Sequence, residues 1–272
     1  MTPAELGKVD VLVIGAGNAA ANAALSAHEA GATVAMLETA PKEARGGNSA
    51  FTGGAFRFTY SSVDDLLRLA PDIADLDLAN IDFGSYTDGQ YFDDMGRLTE
   101  YRCDPALTEV LIGNSFDAGV WLRKLGVRFQ PALGRQAFKV AGKFKFWGGL
   151  ACHILGGGQH LVAALHERLE RVGIPVLYDT TAIALLRGDV HVEGVRVRHR
   201  FRQYDLRAGA VVMACGGFES NAECAHAISV RTGTSRRCAA PAITPASAIA
   251  WRSTSAPPSP GIGPVHMPYS GI

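Results

Sequence analysis

The first residues in the chain whose types and spacing suggest chemistry are Gly15-Ala16-Gly17-Asn18-Ala19-Ala20, directly after the apolar run from Val9 to Ile14. Gly15 permits a tight turn, and Gly17 lets the backbone approach a pyrophosphate with no Cβ in the way. Ala20 stands where a third small residue lets helix and strand pack closely. An alanine-rich helix running to about Ala30 would begin here, turning its free N–H groups and partial positive charge toward a phosphate. Gly31 stops that helix, and a second strand from Thr33 to Leu37 ends at Glu38, whose carboxylate can accept from both hydroxyls of an adenosine ribose. Glycines alone would be a weak signal; set between two apolar strands, with an acid closing the second, they predict a dinucleotide-binding βαβ unit. Gly15, Gly17, Asn18, Ala19 and Glu38 are its candidate contacts. FAD and NAD both fit such a unit.

A second glycine-rich loop follows, Arg45-Gly46-Gly47-Asn48-Ser49, with Gly53-Gly54 close behind. It offers successive backbone N–H groups and short polar side chains without bulk, a surface that can lie against a pyrophosphate, a ribityl chain and a flavin ring. This loop resembles the flavin loop of the succinate dehydrogenase/fumarate reductase flavoprotein family. Residues 210–221 (AVVMACGGFESN) resemble that family's second FAD-contacting strand. The runs GVRFQP (126–131) and GGGQHLVAAL (156–165) are similar to its tricarballylate dehydrogenase branch. The resemblance covers residues 9 to about 223 and implies FAD as cofactor, with Gly46, Gly47, Asn48, Ser49, Gly53, Gly54, Ala182, Ala214 and Gly216 as further contacts. Succinate dehydrogenases carry in this loop a histidine that bonds the flavin covalently. The matching position here is Asn48, which implies non-covalent FAD. The resemblance also implies a small di- or tricarboxylate substrate, oxidised or reduced by hydride transfer to or from flavin N5, and an electron-accepting partner protein.

Other elements can be read around these motifs. Asp104-Pro105 suits a helix start, and Leu107, Val110, Leu111, Trp121, Leu122 and Leu125 share one apolar face up to Gly126. Gly156-Gly157-Gly158 opens a helix carrying Leu161, Leu165 and Leu169. Ile174 to Tyr178 reads as a strand, Val190–His199 with Phe201–Leu206 as an antiparallel hairpin, and Ala210–Ala214 as a last buried strand. The expected class is α/β: a Rossmann-like FAD-binding domain with a parallel sheet and an antiparallel hairpin, lacking the capping domain. His153, His160, Cys152, Cys215, Lys139, Lys143 and Lys145 read as ordinary structural or solvated residues, as do Trp121 and Trp147.

The 26 basic and 26 acidic side chains balance, which gives no electrostatic case for nucleic acid. No apolar run reaches the ~18 residues of a membrane span. Five scattered cysteines, no CxxC pair and no signal-peptide pattern point to reduced thiols in the cytoplasm and to no metal site. The balance hides a break. From Cys224 onward there are four arginines and no lysine or acid, with seven of the 13 prolines. Residues 1–223 therefore read as a partial FAD-binding domain. Residues 224–272 read as frameshifted or misassembled sequence, or as a disordered tail. In the resembling family the substrate groups follow the Gly216-Gly217-Phe218 strand, and the chain ends about fifty residues later. No catalytic residue is assigned. Two rivals remain: another enzyme of the same superfamily, such as a fumarate reductase or ketosteroid dehydrogenase, and a non-catalytic nucleotide-binding fragment.

Overall fold

A computed structural model describes residues 2–217, apart from Arg135 and Trp147. Within these residues the chain divides into two compact units, one formed by residues 2–52 and 158–217 and the other by 53–157. The expected change of character at Cys224 and positions 218–221 of the stretch likened to a second FAD-contacting strand lie outside the described residues.

The first unit begins with β1 (Val9–Ile14), α1 (Asn18–Glu29) and β2 (Val34–Leu37), as the periodicity predicts. The chain then builds the second unit: α2 (Val63–Leu69), β3 (Ile81–Asp82), α3 (Asp88–Thr99), α4 (Pro105–Gly113), α5 (Ser115–Lys124), and short strands β4 (Phe129–Pro131), β5 (Ala137–Val140), β6 (Lys143–Phe146) and β7 (Cys152–Ile154). It returns through α6 (Gly157–Val172), β8 (Val176–Leu177), β9 (Thr180–Arg187), β10 (Val192–His199) and β11 (Arg202–Met213).

Six strands of the first unit form one sheet in the order β8-β2-β1-β11-β10-β9. β1 pairs in parallel with both β2 and β11, and β2 with β8, while β10 runs antiparallel to β9 and β11. The result is the expected parallel sheet with an antiparallel extension. Leu12, Ile14, Ala35, Leu37, Leu177, Val195, Val197 and Leu206 form its core cluster, together with Ala182 and Ala208. Apolar side chains on both faces of β1 explain why the run has no alternation. Ala20, Ala21, Ala24 and Leu25 are buried on α1, and small side chains there let the helix lie close to the sheet.

Four elements differ from the sequence reading. The hairpin forms, but its second strand does not stop at Leu206: β11 continues unbroken to Met213 and takes in the stretch read as a separate buried strand. That end is not sealed, since Val211 and Val212 are half-buried and Met213 is exposed. Strand pairing fixes a backbone without covering its side-chain faces. β9 had no clear periodic signature, and β8 is only two residues long.

The fourth correction concerns the long helix expected from Asp104 to Gly126, which is two. Asn114 breaks it: its side-chain amide donates to the Val110 carbonyl (2.7 Å), and the neighbouring Ser115 hydroxyl donates to the Ile112 carbonyl (2.8 Å). Such side chains compete with the helix for its own carbonyls. The expected apolar face of α4 is also turned outward, with Leu107, Val110 and Leu111 at 64%, 63% and 49% exposure. Thr108 and Ile112 are buried instead. Thr108 can be buried because its hydroxyl donates to the Asp104 carbonyl (2.7 Å).

Candidate functional site

The turn between β1 and α1 lies at the mouth of a cavity of about 350 Å³ within the first unit. That volume is within the range of small-molecule sites, about 300–1,000 Å³. Its walls come from five segments: the glycine turn, the end of β2 with Glu38 and Thr39, the loop Gly46–Ser49, Thr180 at the start of β9, and the end of β11 at Met213 with the residues that follow it to Gly217. Gly15, Gly17, Asn18, Ala19, Glu38, Gly46, Gly47, Asn48, Ser49, Ala214 and Gly216 are thus brought together around one space. Ala182 is elsewhere, buried in the sheet core, and Gly53 and Gly54 belong to the second unit.

Backbone proximity decides the turn's composition. Gly15 has φ +114°, and a Cβ there would collide with the Ala214 carbonyl oxygen, so the turn and the end of β11 can approach only through glycine. Gly17 caps α1 without any side-chain hydrogen bond, and the first turn of α1 carries no acid, so nothing of its own neutralises the helix's positive end. A Cβ at Gly17 would also lie 3.3 Å from both the Gly46 carbonyl oxygen and the Ser49 hydroxyl oxygen. The second glycine loop is therefore packed directly on the first. Ser49 ties them together by accepting a hydrogen bond from the Asn18 N–H (3.0 Å).

Glu38 is buried, with 8% of its surface exposed, at the cavity wall. Desolvation pushes its carboxyl above the usual carboxylate range, although the N–H groups of Ala40, Ala16 and Thr39 all donate to it and pull the other way. The Ala40 bond is 2.8 Å long. The side chain is locked by main-chain donors and ready to accept a further donor such as a ribose hydroxyl.

Some of what builds the site carries no sequence signature. Thr180, at the start of β9, lines the cavity, donates its hydroxyl to the Tyr178 carbonyl (2.8 Å) and receives no hint from any motif. Gly158 reads as a helix opener, yet a Cβ there would collide with the Ser49 carbonyl oxygen, so α6 supports the second loop by backbone contact. A Cβ on Gly46 would meet Val162 of α6 at 2.8 Å. His166, also on α6, reaches the turn itself through the Ala16 carbonyl (2.9 Å).

In the second unit, Cys152 is buried and desolvation pushes its thiol up to about 12, which suits an inert residue. Lys145 pairs with Asp82 (3.0 Å), and Lys139 and Lys143 are exposed. His153 meets the Gln130 amide nitrogen through Nε2 (2.6 Å). Among the described residues no helix is long and apolar enough to cross a membrane.

The FAD binding domain family matches residues 10–253. Fumarate reductase (cytochrome) of Shewanella frigidimarina is 28% identical over 219 residues, covering 79% of this chain and 34% of its own length. Vinyl phenol reductase of Lactiplantibacillus plantarum is 28% identical over 230 residues, covering 81% of this chain and 40% of its own length. The chain thus spans about a third to two-fifths of these relatives. Among solved structures, the 3-ketosteroid-Δ4-(5α)-dehydrogenase of Rhodococcus jostii RHA1 shares the fold with a TM-score of 0.67. It is 22% identical and is matched over 87% of this chain and 51% of its own.

Proposed function

We propose that this chain, which belongs to the FAD binding domain family, holds the ADP half of non-covalent FAD in the cavity between the glycine turn, Glu38 and the Gly46–Ser49 loop. The observation that supports this best is the pair of interlocked glycine loops beside a desolvated acid. Gly17 leaves room for a pyrophosphate against the end of α1, and Glu38 is placed for the ribose hydroxyls. Asn48, exposed at the cavity wall, has no ring nitrogen to bond a flavin, so the cofactor is held by contacts alone.

When bound, FAD supplies two-electron redox chemistry. Fumarate and a vinyl phenol, named by two of these relatives, each carry a conjugated carbon–carbon double bond, and a 3-ketosteroid, named by the fold relative, carries carbon–carbon bonds activated by its ketone. We therefore read the full activity as an FAD-dependent oxidoreductase that adds or removes hydrogen across such a bond. A small unsaturated carboxylate is the substrate, and the tricarballylate–aconitate pair is the first to test. An electron-carrying protein is the redox partner. Residues 1–223 carry the cofactor site in this reading.

Dye-coupled turnover tests the reaction, with tricarballylate, succinate, fumarate and a 3-ketosteroid offered to the 272-residue protein and to a version extended to the length of its relatives. Turnover of a carboxylate by the extended form supports the reading. Turnover of the steroid alone would replace it with the ketosteroid alternative.

A further inference from the structure

The groove that takes the pyrophosphate depends on one peptide plane, Ala16–Gly17, and the carbonyl of that plane is held by a side chain from a distant part of the sequence. Ala16 is 1% exposed. Its N–H, which belongs to the preceding peptide plane, faces the Glu38 carboxyl. On its carbonyl side the oxygen lies 2.9 Å from Nε2 of His166, a residue 2% exposed and one and a half hundred positions away on α6. A carbonyl oxygen can only accept, so Nε2 must carry the proton. The other ring nitrogen, Nδ1, faces the Tyr178 hydroxyl at 3.4 Å, which can donate to it. Desolvation favours the neutral imidazole that this arrangement requires.

A trans peptide is planar, with its C=O and N–H pointing opposite ways. Fixing the Ala16 carbonyl toward α6 therefore fixes the Gly17 N–H in the opposite direction. Ala16 and Gly17 line the cavity, and His166 stands outside its walls. The next N–H along, that of Asn18, is taken by Ser49. We propose that His166 is a positioning residue for the cofactor: by holding the Ala16 carbonyl from behind, it aims the Gly17 N–H at the pyrophosphate. The proposal rests on the FAD site described above and adds a group that belongs to neither glycine motif.

The test compares three substitutions of the full chain by FAD titration and by amide hydrogen exchange at Asn18, whose N–H follows the held plane and is protected by Ser49. His166→Gln keeps a donor of nearly the same reach. His166→Leu keeps the bulk and removes the donor. His166→Asn is polar but too short, and stands in for leucine if that variant does not fold. Leucine or asparagine is expected to weaken FAD binding about tenfold, the loss of one well-placed hydrogen bond. The Asn18 amide in those variants should exchange about tenfold faster, while glutamine stays within about threefold of wild type in both measurements. Equal losses with glutamine and leucine, or wild-type binding and exchange in all three, would overturn the proposal. If wild type itself fails to bind FAD, the site reading falls, and the exchange rates still decide whether His166 holds the turn.

Discussion

In the unit formed by residues 2–52 and 158–217, the decisive contacts are made by backbone against backbone, whereas in the unit formed by residues 53–157 they are made by side chains. Around the cavity, Gly15, Gly17 and Gly158 are places where a single added carbon would strike a carbonyl oxygen or press on it. In the other unit, Asp94 is the hub. Arg57 (2.7 Å) and the Tyr86 hydroxyl (2.7 Å) both donate to its Oδ2, and Arg97 donates to Oδ1. Burial alone would raise the Asp94 carboxyl; the bonds from Tyr86 and Arg97 and the charge of Arg57 outweigh it and hold the group below its usual range. Tyr86 is buried, and burial together with Asp94 pushes its hydroxyl strongly upward. The cavity wall is built on the absence of side chains; a unit held by a charged network uses their presence. The two should therefore fail differently.

The largest effect is expected at Gly158. Alanine there must push the Ser49–Ala50 backbone aside, and FAD affinity should fall roughly 100-fold or more, since overpacking costs about 1–3 kcal/mol even where the surroundings give. Valine at Gly17 should do the same from the other loop. Wild-type affinity in a fluorescence titration of either variant would show that the loops do not need this approach. The counterpart is Asp94→Ala, which strands Arg57 and the Tyr86 hydroxyl. It should destabilise its unit by about 2–3 kcal/mol in a denaturant melt and leave ADP affinity within about twofold. Loss of ADP binding in that variant would erase the distinction.

Smaller effects sharpen it. Glu38→Ala should weaken FAD about tenfold by removing the ribose acceptor, and should relax the exclusion of NADP, whose 2′-phosphate the carboxylate repels. Calorimetry with both nucleotides reads this directly. His166 binds its proton less well folded than unfolded, because burial disfavours the charge, with Arg45 and Lys42 opposing it, Glu170 favouring it and Tyr178 at Nδ1. With an unfolded value near about 6.5, its contribution to stability is full above that pH and is lost as the pH falls below it. Melting temperatures measured across pH 5–8 should show less acid loss in His166→Gln than in wild type; identical profiles would mean that His166 does not titrate on unfolding. The smallest change is Leu107→Lys on the exposed side of α4, which should alter stability by no more than about 0.5 kcal/mol. A larger drop would show that this face packs against something.

This contrast also explains what could be read from the sequence. The turn at Gly15–Gly17, the acid at Glu38 and the loop at Gly46–Ser49 are legible because backbone approach demands glycine at fixed spacing, and glycine is visible as a letter. The helix interrupted at Asn114 is not legible in the same way: Leu107, Val110 and Leu111 follow helical spacing, but spacing says which residues share a face and not what that face meets. Thr180 and His166 are illegible for a different reason. Each acts through one main-chain or cavity contact that folding brings from a distant segment, and a threonine or histidine at such a position looks like any other. The same holds for β11, where the periodicity of 210–214 suggested a sealed strand and the structure leaves Met213 exposed.

The central claim is that the first unit's cavity receives the ADP half of FAD, and competition binding tests it most directly. The 272-residue protein is titrated with FAD and then challenged with ADP, NADP and riboflavin, with flavin fluorescence as the signal. ADP is expected to displace FAD, because it occupies the turn and the Glu38 wall; NADP and riboflavin are expected to leave it bound. Displacement by NADP or riboflavin, with ADP ineffective, would contradict the account and move the cofactor away from Gly17 and Glu38.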